Sequence, residues 1–375
     1  MTAKQLIIDM DINKDFSRNV WCILGLPFDT ITLEQAAQVI VSAVNTRSAC
    51  YLCTPNVNFI CTAKSDVQFR QSIINSDLSI VDGFPIVFVA KLLGIPMPER
   101  IGGSNLIEYL YNRQTATPIK VYFFGGENGV GELASNKINQ QPAGLVAVGH
   151  YAPGFGSVDE MSTPDIINSV NNQSVEFLMV SLGAKKGQAW IERNRHRVNS
   201  TVIGYMGAVI NFFAGTVKRA PDWMQSIGVE WIWRIYQEPN LWRRYYDDGI
   251  CFLKLFFNNV IPYWIWQTYF KPKTAKDLTI KESTEAKNTS IIELSGDCTS
   301  LTILPLRETF KKLANKKSNV NIDLKDVRYI DSAFLGLCLI LYKHLKPNGL
   351  QLKFINPNKA VSRIIKWQNV NDIFF

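Results

Sequence analysis

The chain has 375 residues, and its 40 Lys and Arg against 32 Asp and Glu give a formal net charge of +8. About two domains are expected at this length, which is ample for a large hydrophobic core. Seven cysteines without regular spacing exclude a disulfide framework, and three scattered histidines exclude a visible metal cluster.

These counts point to a cytoplasmic protein with reduced cysteines, no bound metal and no cofactor. Cys50 and Cys53 are three residues apart within a predicted strand, where their side chains would point to opposite faces. The positive charge is consistent with an anionic partner, such as a nucleotide diphosphate, an acidic lipid or nucleic acid, and equally with ordinary solubility.

Residues 1–20 are predicted to be an N-terminal extension, since they lack the longer apolar core of a signal peptide. A membrane-spanning helix needs about 20 mainly apolar residues. Residues 198–217 carry no charge over that length, but Asn, Ser and Gly interrupt them. A strand followed by a buried helix explains this stretch better than a membrane span.

The first predicted element is a helix over Leu33–Val44, introduced by Thr32 and Gln35 at capping-box spacing. Strands are predicted at Cys50–Cys53, Leu78–Val81, Lys120–Phe124, Leu145–Val148, Phe177–Ser181 and Thr201–Ile203. Helical patterns fall between them, at Ile60–Asn75, Pro85–Leu93, Asn105–Asn112, Gly129–Asn139, Pro164–Val170 and Gln188–Arg197. This alternation predicts a Rossmann-like α/β core over 21–214, with a parallel sheet covered on both faces.

Polar clusters follow apolar runs at Thr54 to Asn56, at Asp82-Gly83 and at Arg100 to Gly103. Ligands of open parallel sheets bind outside the carboxyl ends of the strands, so these side chains are candidates for a site. Asp82 precedes a glycine that lets the backbone turn sharply, and a carboxylate so placed is a candidate general base. The alternative is that Asp-Gly only forms a turn, which it does commonly.

Together with a block from Gly215 to Tyr245, these clusters resemble the WecG/TagA/CpsF family of glycosyltransferases, over roughly Trp21 to Tyr245. The resemblance implies an enzyme that moves a sugar, with inversion, from a UDP-sugar to a polyprenyl-diphosphate-linked acceptor. It places such an enzyme on the inner face of the bacterial cytoplasmic membrane, in surface polysaccharide biosynthesis.

The resemblance implies that Asp82 is the catalytic base and that Thr54 lies near it. Asn56 would orient a sugar or phosphate, although both Thr54 and Asn56 also suit a strand-end cap. Arg100 beside Gly103 would bind diphosphate, because a guanidinium suits that group. The alternative for Arg100 is an ion pair with Glu99 or another acid.

A second set of candidate donor contacts carries weaker signals. Gly125 and Gly126 follow a predicted strand and precede a helix, where backbone amides could hold phosphate, but a bare turn is an equal reading. The family's Gly-x-Pro-x-Gln-Glu run is replaced by Gly183-Ala184-Lys185-Lys186-Gly187-Gln188. Lys185 and Lys186 could take over diphosphate contact, or the transferase could be degenerate.

Residues 215–270 are predicted to be a basic, tryptophan-rich appendage that associates with the membrane. The resemblance assigns lipid-diphosphate or membrane contact to Arg234, Arg243, Arg244 and Trp242. Arginine binds diphosphate with paired donors, and tryptophan favours the headgroup layer. The alternatives are an amphipathic helix with internal ion pairs, and, for the apolar 250–266 stretch, packing on its own core or a neighbouring subunit.

A polar linker is predicted at 271–288, followed by a small α/β domain at 289–375. That tail resembles a STAS domain, the fold of the anti-sigma-factor antagonists, through Asn321–Leu324, Val327–Ser332 and Gly336. The resemblance implies phosphorylation of Ser332 at a helix N-cap, with a kinase or regulatory protein as partner. The alternative for Ser332 is an ordinary cap.

The sequence therefore predicts a membrane-associated glycosyltransferase carrying a regulatory or docking STAS domain, with a homo-oligomer as a further possibility. The alternative is a degenerate transferase scaffold that works as a STAS-based binding protein. Nucleic-acid binding through the Trp/Arg block is the weakest reading, and no nucleic-acid partner is expected.

Overall fold

The computed structural model describes residues 12–285 and 289–375. Predictions on 1–11, within the N-terminal extension, and on 286–288, at the end of the linker, lie outside the described residues. The chain forms two compact units. The core unit comprises Ile31–Phe88 and Met97–Ile250, and the tail unit comprises the described part of Met1–Thr30 with Val89–Pro96 and Cys251–Phe375.

Residues 12–17 are helical (α1), and the hairpin β1 (Val20–Ile23) and β2 (Leu26–Asp29) follows. The chain continues as α2 (Leu33–Thr46), β3 (Cys50–Cys53), α3 (Val57–Ser65), α4 (Val67–Ile74), β4 (Leu78–Ser79), α5 (Phe84–Leu92), α6 (Gly103–Asn112), β5 (Ile119–Gly125), α7 (Val130–Gln140), β6 (Leu145–Tyr151), α8 (Pro164–Asn171), β7 (Phe177–Ser181), α9 (Ala184–Asn194), β8 (Val202–Tyr205), α10 (Val209–Ala214), α11 (Asp222–Ser226) and α12 (Glu230–Gln237). It ends as α13 (Trp242–Leu255), a π-helical turn at Phe256–Val260, α14 (Ile261–Phe270), β9 (Thr279–Glu285), β10 (Thr289–Cys298), α15 (Leu304–Lys316), β11 (Asn319–Ile330), α16 (Ser332–Leu345), β12 (Leu352–Ile355), α17 (Lys359–Trp367) and α18 (Asn371–Phe374).

The core unit contains a six-stranded sheet in the order β4-β3-β8-β7-β5-β6, with every pairing parallel. Successive side chains of its central strands enter different apolar clusters: Phe123 and Met179 lie on one face, and Phe124 and Val180 on the other. Burial on both faces explains why these strands read as continuous apolar runs. The predicted parallel α/β fold is confirmed.

Side-chain caps fix where the first helices of the core unit begin. The Thr32 hydroxyl accepts from Gln35 N at 3.2 Å, and Gln35 Oε1 accepts from Thr32 N at 2.9 Å, so the predicted capping box is present. The single helix predicted over Ile60–Asn75 is wrong, because α3 and α4 are separate. Asp66 ends α3 and caps α4 by accepting from Phe69 N at 3.0 Å, which interrupts the helical backbone.

The tail unit contains a four-stranded sheet in the order β12-β11-β10-β9, in which β9 is antiparallel to β10 and the other pairs are parallel. Strand β9 (Thr279–Glu285) lies inside the polar linker that the sequence predicts over 271–288, so part of this linker belongs to the sheet. This strand forms the sheet edge with largely exposed side chains such as Lys281 and Glu282. Charged edge strands protect a sheet from further pairing, and their polarity resembles that of a linker.

Helix α16 is apolar around its circumference because it is covered on more than its sheet side. The β1–β2 hairpin packs against it: a Cβ added at Gly336 would lie 2.2 Å from the carbonyl oxygen of Val20. Leu24 N also donates to Gln368 Oε1 at 3.1 Å, and Lys343 Nζ lies 2.8 Å from Asp15 Oδ2. The hairpin thus groups with the tail unit, whereas the sequence-based division placed residues 21–30 with the sheet core.

Helix α14 packs within the tail unit through aromatic rings. Tyr263 stacks on Trp367 at 6.0 Å between centroids, and Trp266 stacks on Tyr329 at 5.7 Å. Asn259 Nδ2 donates to Trp367 O at 3.0 Å just before this helix. Packing on its own unit, one of the alternatives to membrane contact for the apolar stretch, is thus observed for α14. Within 12–285 and 289–375, every helix is too short or too polar to cross a membrane.

Candidate active site

Asp82 stands where three segments of the core unit meet at the carboxyl end of β4. Its backbone N donates to Pro55 O at 3.0 Å, and Ile101 N donates to Val81 O at 2.9 Å. These two bonds hold the segments after β3, after β4 and before α6 side by side. Gly83 has φ +121°, a conformation that L side chains rarely adopt, so a glycine is needed for the turn.

A cavity of about 210 Å³ opens beside this junction, entirely within the core unit. It is lined by segments from both ends of that unit: the strand ends at 54–56, 82 and 205–209, the loop at 100–105, and the helical block at 212–245. Seven of the predicted site residues contribute to its wall: Thr54, Asn56, Asp82, Arg100, Gly103, Arg234 and Arg244. Two neighbouring cavities, of about 430 and 280 Å³, share Asn105 and Arg219 with it, respectively.

Burial raises the pKa of Asp82 from 3.8 to about 6, and Glu230 adds to this increase while Arg100 opposes it. The cause is desolvation, because the low-dielectric surroundings disfavour the charged carboxylate. A carboxyl group with this pKa is mostly ionised at neutral pH and binds a proton more readily than an ordinary aspartate. Those are the properties of a general base.

Arg100 and Glu230 form a two-point ion pair at the cavity wall. Arg100 Nη1 donates to Glu230 Oε2 at 2.7 Å, and Arg100 Nη2 donates to Glu230 Oε1 at 3.0 Å. The alternative reading of Arg100, as the partner of an acid, is therefore observed, but the acid is Glu230 rather than Glu99. Glu99 instead accepts from Leu33 N at 2.7 Å.

Thr54 and Asn56 combine both roles that the sequence left open. The Thr54 side chain is 5% exposed, and its hydroxyl lies 3.4 Å from Tyr205 O. Asn56 caps α3, with Oδ1 accepting from Phe59 N at 3.3 Å. Both residues also line the cavity that Asp82 lines.

The structure places the other predicted donor contacts outside the wall of the Asp82 cavity. Lys185 Nζ pairs with Asp66 at 2.6 Å, and Lys186 Nζ donates to Gly156 O at 2.9 Å. A Cβ at Gly125 would lie 2.5 Å from Ser181 O, so close approach to β7 explains this glycine. Gly126 continues the same turn with φ +78°. Contact of these four residues with a nucleotide stays a prediction.

The helical block supplies three arginines to the cavity. Arg234 lies over the Phe212 ring at 5.5 Å and pairs with Glu238, while its Nη1 is buried without a hydrogen-bond partner in the described structure. Arg244 also lines the wall, whereas Trp242, 58% exposed, and Arg243 lie outside it. The third is Arg219, whose Nη2 donates to Ser104 and Asn105 side chains at 3.2 Å.

Sequence reasoning missed Arg219, Glu230 and Tyr205 as site residues. Arg219 and Glu230 belong to the Gly215–Tyr245 block, and this membership was the signal that could have marked them. Tyr205 fills space beside Gly187, where an added Cβ would lie 2.7 Å from the Tyr205 ring. An aromatic residue of the cavity wall thus packs where the family pattern carries glutamine, and burial raises the pKa of Tyr205 to about 12.

Comparison with known proteins places the chain that forms this site in a family. Residues 21–264 match the model of the glycosyl transferase WecG/TagA/CpsF family. The chain belongs to this family. It is thus a glycosyltransferase by family, as the resemblance implied, and Asp82, the cavity and the helical block all fall within the matched residues. Residues 283–374 match a second model, described as Mlab, STAS domain, which confirms the prediction for the tail.

Curated relatives carry one activity in their names. An N-acetylglucosaminyldiphosphoundecaprenol N-acetyl-β-D-mannosaminyltransferase of Bacillus spizizenii is 27% identical over 194 residues, covering 50% of this chain and 74% of the relative. A protein of the same name from Staphylococcus aureus is 25% identical over 224 residues, covering 59% and 85%. The solved anti-sigma-factor antagonist SpoIIAA, in its unphosphorylated form, matches at 15% identity and a TM-score of 0.24, covering 26% of this chain and 86% of that one.

Within the STAS domain, Ser332 is placed differently from its prediction. Asp331, not Ser332, is the N-cap of α16, accepting from Ala333 N and Phe334 N at 2.9 and 3.0 Å. Ser332 is 2% exposed, and its hydroxyl accepts from Gln368 Nε2 at 2.9 Å. The N-cap assignment is wrong because Asp331 is the flanking residue with extended backbone, at φ −119° and ψ −179°, and Ser332 is already the first residue of the helix. Phosphorylation stays a prediction, and a kinase would need this site to open.

Proposed function

We propose that this glycosyltransferase moves an N-acetylmannosamine-type sugar from a UDP-sugar to a hydroxyl of a polyprenyl-diphosphate-linked acceptor, with inversion. The acceptor oxygen forms a bond to the anomeric carbon while the bond from that carbon to the UDP oxygen breaks. The acceptor proton passes to the Asp82 carboxylate, and UDP leaves with the electron pair. The names of the relatives support the sugar and acceptor class.

The observation that carries this proposal is the carboxyl group of Asp82 on the wall of a polar cavity, with a pKa raised by burial to about 6. General-base catalysis is most efficient when the pKa of the base lies near the working pH. An exposed aspartate would be too weak a base to remove a hydroxyl proton, while the half-buried Asp82 is better matched.

The arginines of the cavity supply the second requirement, which is stabilisation of diphosphate charge. Arg219, Arg234 and Arg244 all contribute to the wall, and the buried Nη1 of Arg234 is unpaired within the described structure. Guanidinium groups bind phosphate oxygens with paired, charge-assisted hydrogen bonds. Electrostatic groups fixed in advance around developing charge are a major source of catalysis.

We propose that the helical block of the core unit contacts the membrane that holds the acceptor. Its exposed apolar and aromatic side chains are Trp223, Ile227, Trp231, Ile232, Tyr236 and Trp242, and the exposed Tyr246 follows directly after the block. Such rings favour the bilayer interface, and a basic surface favours anionic lipids. A peripheral position on the cytoplasmic face follows from this proposal, since UDP-sugars and reduced cysteines share that compartment.

Incubation of the purified chain with UDP-N-acetylmannosamine and an N-acetylglucosaminyl-diphosphate lipid tests the activity. We expect UDP release and a product heavier by one sugar, both lost in Asp82→Asn. Asp159→Asn is the matched control, since Asp159 forms an exposed ion pair with Arg193 away from the cavity. Equal turnover in Asp82→Asn would remove this residue from the mechanism. Failure of sedimentation with anionic vesicles would remove the membrane proposal.

The degenerate-scaffold alternative has one observation in its favour. The segment Gly183–Gln188 lacks the family's donor motif, and its two lysines contact other parts of the core unit instead of the cavity. If UDP fails to bind and no UDP-hexose is consumed, the STAS domain becomes the working part of the protein. Kinase partnership and homo-oligomerisation stay predictions under either function.

A further inference from the structure

We propose that Glu230 is a positioning residue for the transfer. It holds the Arg100 guanidinium beside Asp82, so that the surroundings of the base are complete only when α12 packs against the rest of the core unit. This inference rests on the proposed function. It assigns a role in the reaction to an acidic residue of the helical block, whose basic residues alone would be expected to meet diphosphate.

The clamp is a long-range contact between two segments of the core unit. Arg100 lies in the loop before α6, while Glu230 begins α12, and both oxygens of the carboxylate accept from different guanidinium nitrogens. A planar two-point pair fixes the direction of the guanidinium as well as its distance. With two nitrogens held by Glu230, the direction of the Arg100 guanidinium is fixed by the protein, and its contact with diphosphate stays a prediction.

Other contacts attach α12 and its neighbouring segments to the rest of the core unit. A Cβ at Gly228 would lie 2.6 Å from Phe84, so the ring packs directly on that glycine just before α12. Asn58 Nδ2 donates to Asp248 Oδ1 at 3.0 Å, which ties α13 to α3. Glu230 is therefore one of several anchors, and its removal alone should leave the block attached while freeing Arg100.

The charges that face Asp82 come from several elements. Arg100 opposes and Glu230 supports the raised pKa of Asp82, Tyr205 at the end of β8 is the neighbouring phenol, and the arginines at 219, 234 and 244 complete the cavity wall. Because Glu230 is the negative neighbour, its neutralisation should favour the charged form of Asp82. The pKa of the base should therefore fall when Glu230 is changed to glutamine.

The test compares Glu230→Gln with Glu230→Asp, which keeps the charge, and with Asp159→Asn as the distant control. For each background, the free energy of unfolding is measured with and without Asp82→Asn across pH 4 to 8, and the pH midpoint of the difference reports ionisation of Asp82. For Glu230→Gln we expect this midpoint, and the acid limb of kcat/KM, to move to lower pH. We also expect kcat to fall by roughly 10- to 100-fold with a smaller change in KM, as for a misplaced catalytic group.

Glu230→Asp should restore the midpoint, because the charge returns, and Asp159→Asn should leave it unchanged. A midpoint that stays in place in Glu230→Gln overturns the inference, as does an equal shift in the distant control. The unfolding measurement needs no substrate, so it decides about Glu230 even if transfer is never observed. Loss of transfer in all forms with a normal midpoint shift would instead count against the proposed function alone.

Discussion

Replacement of Asp82 by asparagine should stabilise the protein while abolishing sugar transfer. Burial raises the pKa of Asp82 from 3.8 to about 6, which is about 2 pH units. Each unit corresponds to about 1.4 kcal/mol, so the ionised carboxylate costs the folded state up to about 3 kcal/mol at neutral pH. Asparagine has nearly the same shape and carries no charge, so it avoids this cost.

The sign of the effect fixes its pH dependence. Because the folded pKa lies above the unfolded one, the proton favours the folded state, and this stability is present below about pH 4 and lost as pH rises to about 6. We therefore expect Asp82→Asn to match the wild type near pH 4 and to exceed it by up to about 3 kcal/mol at pH 7.5.

Urea unfolding, combined with hydrogen exchange of the core sheet, measures this difference for the unit that contains the cavity. Asp159→Asn should stay within about 0.5 kcal/mol of the wild type at both pH values, because that ion pair is exposed. A variant at position 82 that is less stable than the wild type at pH 7.5 would refute the reasoning. A stability difference between Asp82→Asn and the wild type that does not depend on pH would show that the Asp82 carboxyl group is solvated like that of an exposed aspartate.

Three further changes separate the cavity from its surroundings. Arg244→Ala should raise KM for the lipid-linked acceptor about tenfold, since a charge-assisted pair is worth roughly 1.5 to 3 kcal/mol. Arg243 lies outside the cavity, so Arg243→Ala should change this KM little. Steady-state kinetics with varied acceptor measures both values, and an equal KM in the two variants would contradict the role of Arg244. Gly102→Ala should lower kcat, because the new Cβ would lie 2.9 Å from Asn105 Oδ1 and 3.3 Å from Asp82 Oδ1, so that side chains of the cavity wall must shift. An unchanged kcat would contradict this crowding. Ser332→Asp should increase hydrogen exchange at the end of α17 far more than Ser332→Ala, because it adds a charge at a position that is 2% exposed and accepts from Gln368. Equal exchange in both variants would exclude that effect.

The sequence predicts the sheet well because burial on two faces leaves a direct mark on composition. Cys50–Cys53 and Phe177–Ser181 are apolar except for Ser181, and both match observed strands residue for residue. The helix predicted over Ile60–Asn75 fails for a local reason, since a single aspartate can end one helix and cap the next. Strand β9 was missed because an edge strand needs few apolar side chains.

The sequence could predict only those residues of the candidate site that directly follow a buried strand. Asp82 and Thr54 follow buried strands, so parallel topology alone brings them together. The partner of Arg100 could not be predicted, because Glu230 is distant in the sequence and no local spacing encodes the contact. Gly125 shows why a glycine pattern alone does not decide, since close approach to Ser181 requires a glycine there whether or not the turn binds phosphate.

Attachment of the β1–β2 hairpin to α16 has a consequence for protein synthesis. Ile23 and Phe28 are fully buried in the finished molecule, yet they leave the ribosome long before the helix that the hairpin packs on. At about 5 to 20 residues per second, this wait lasts tens of seconds. Until translation reaches the tail, the apolar side chains of this hairpin lack the helix that covers them in the folded protein. We therefore expect chaperones to bind the nascent chain.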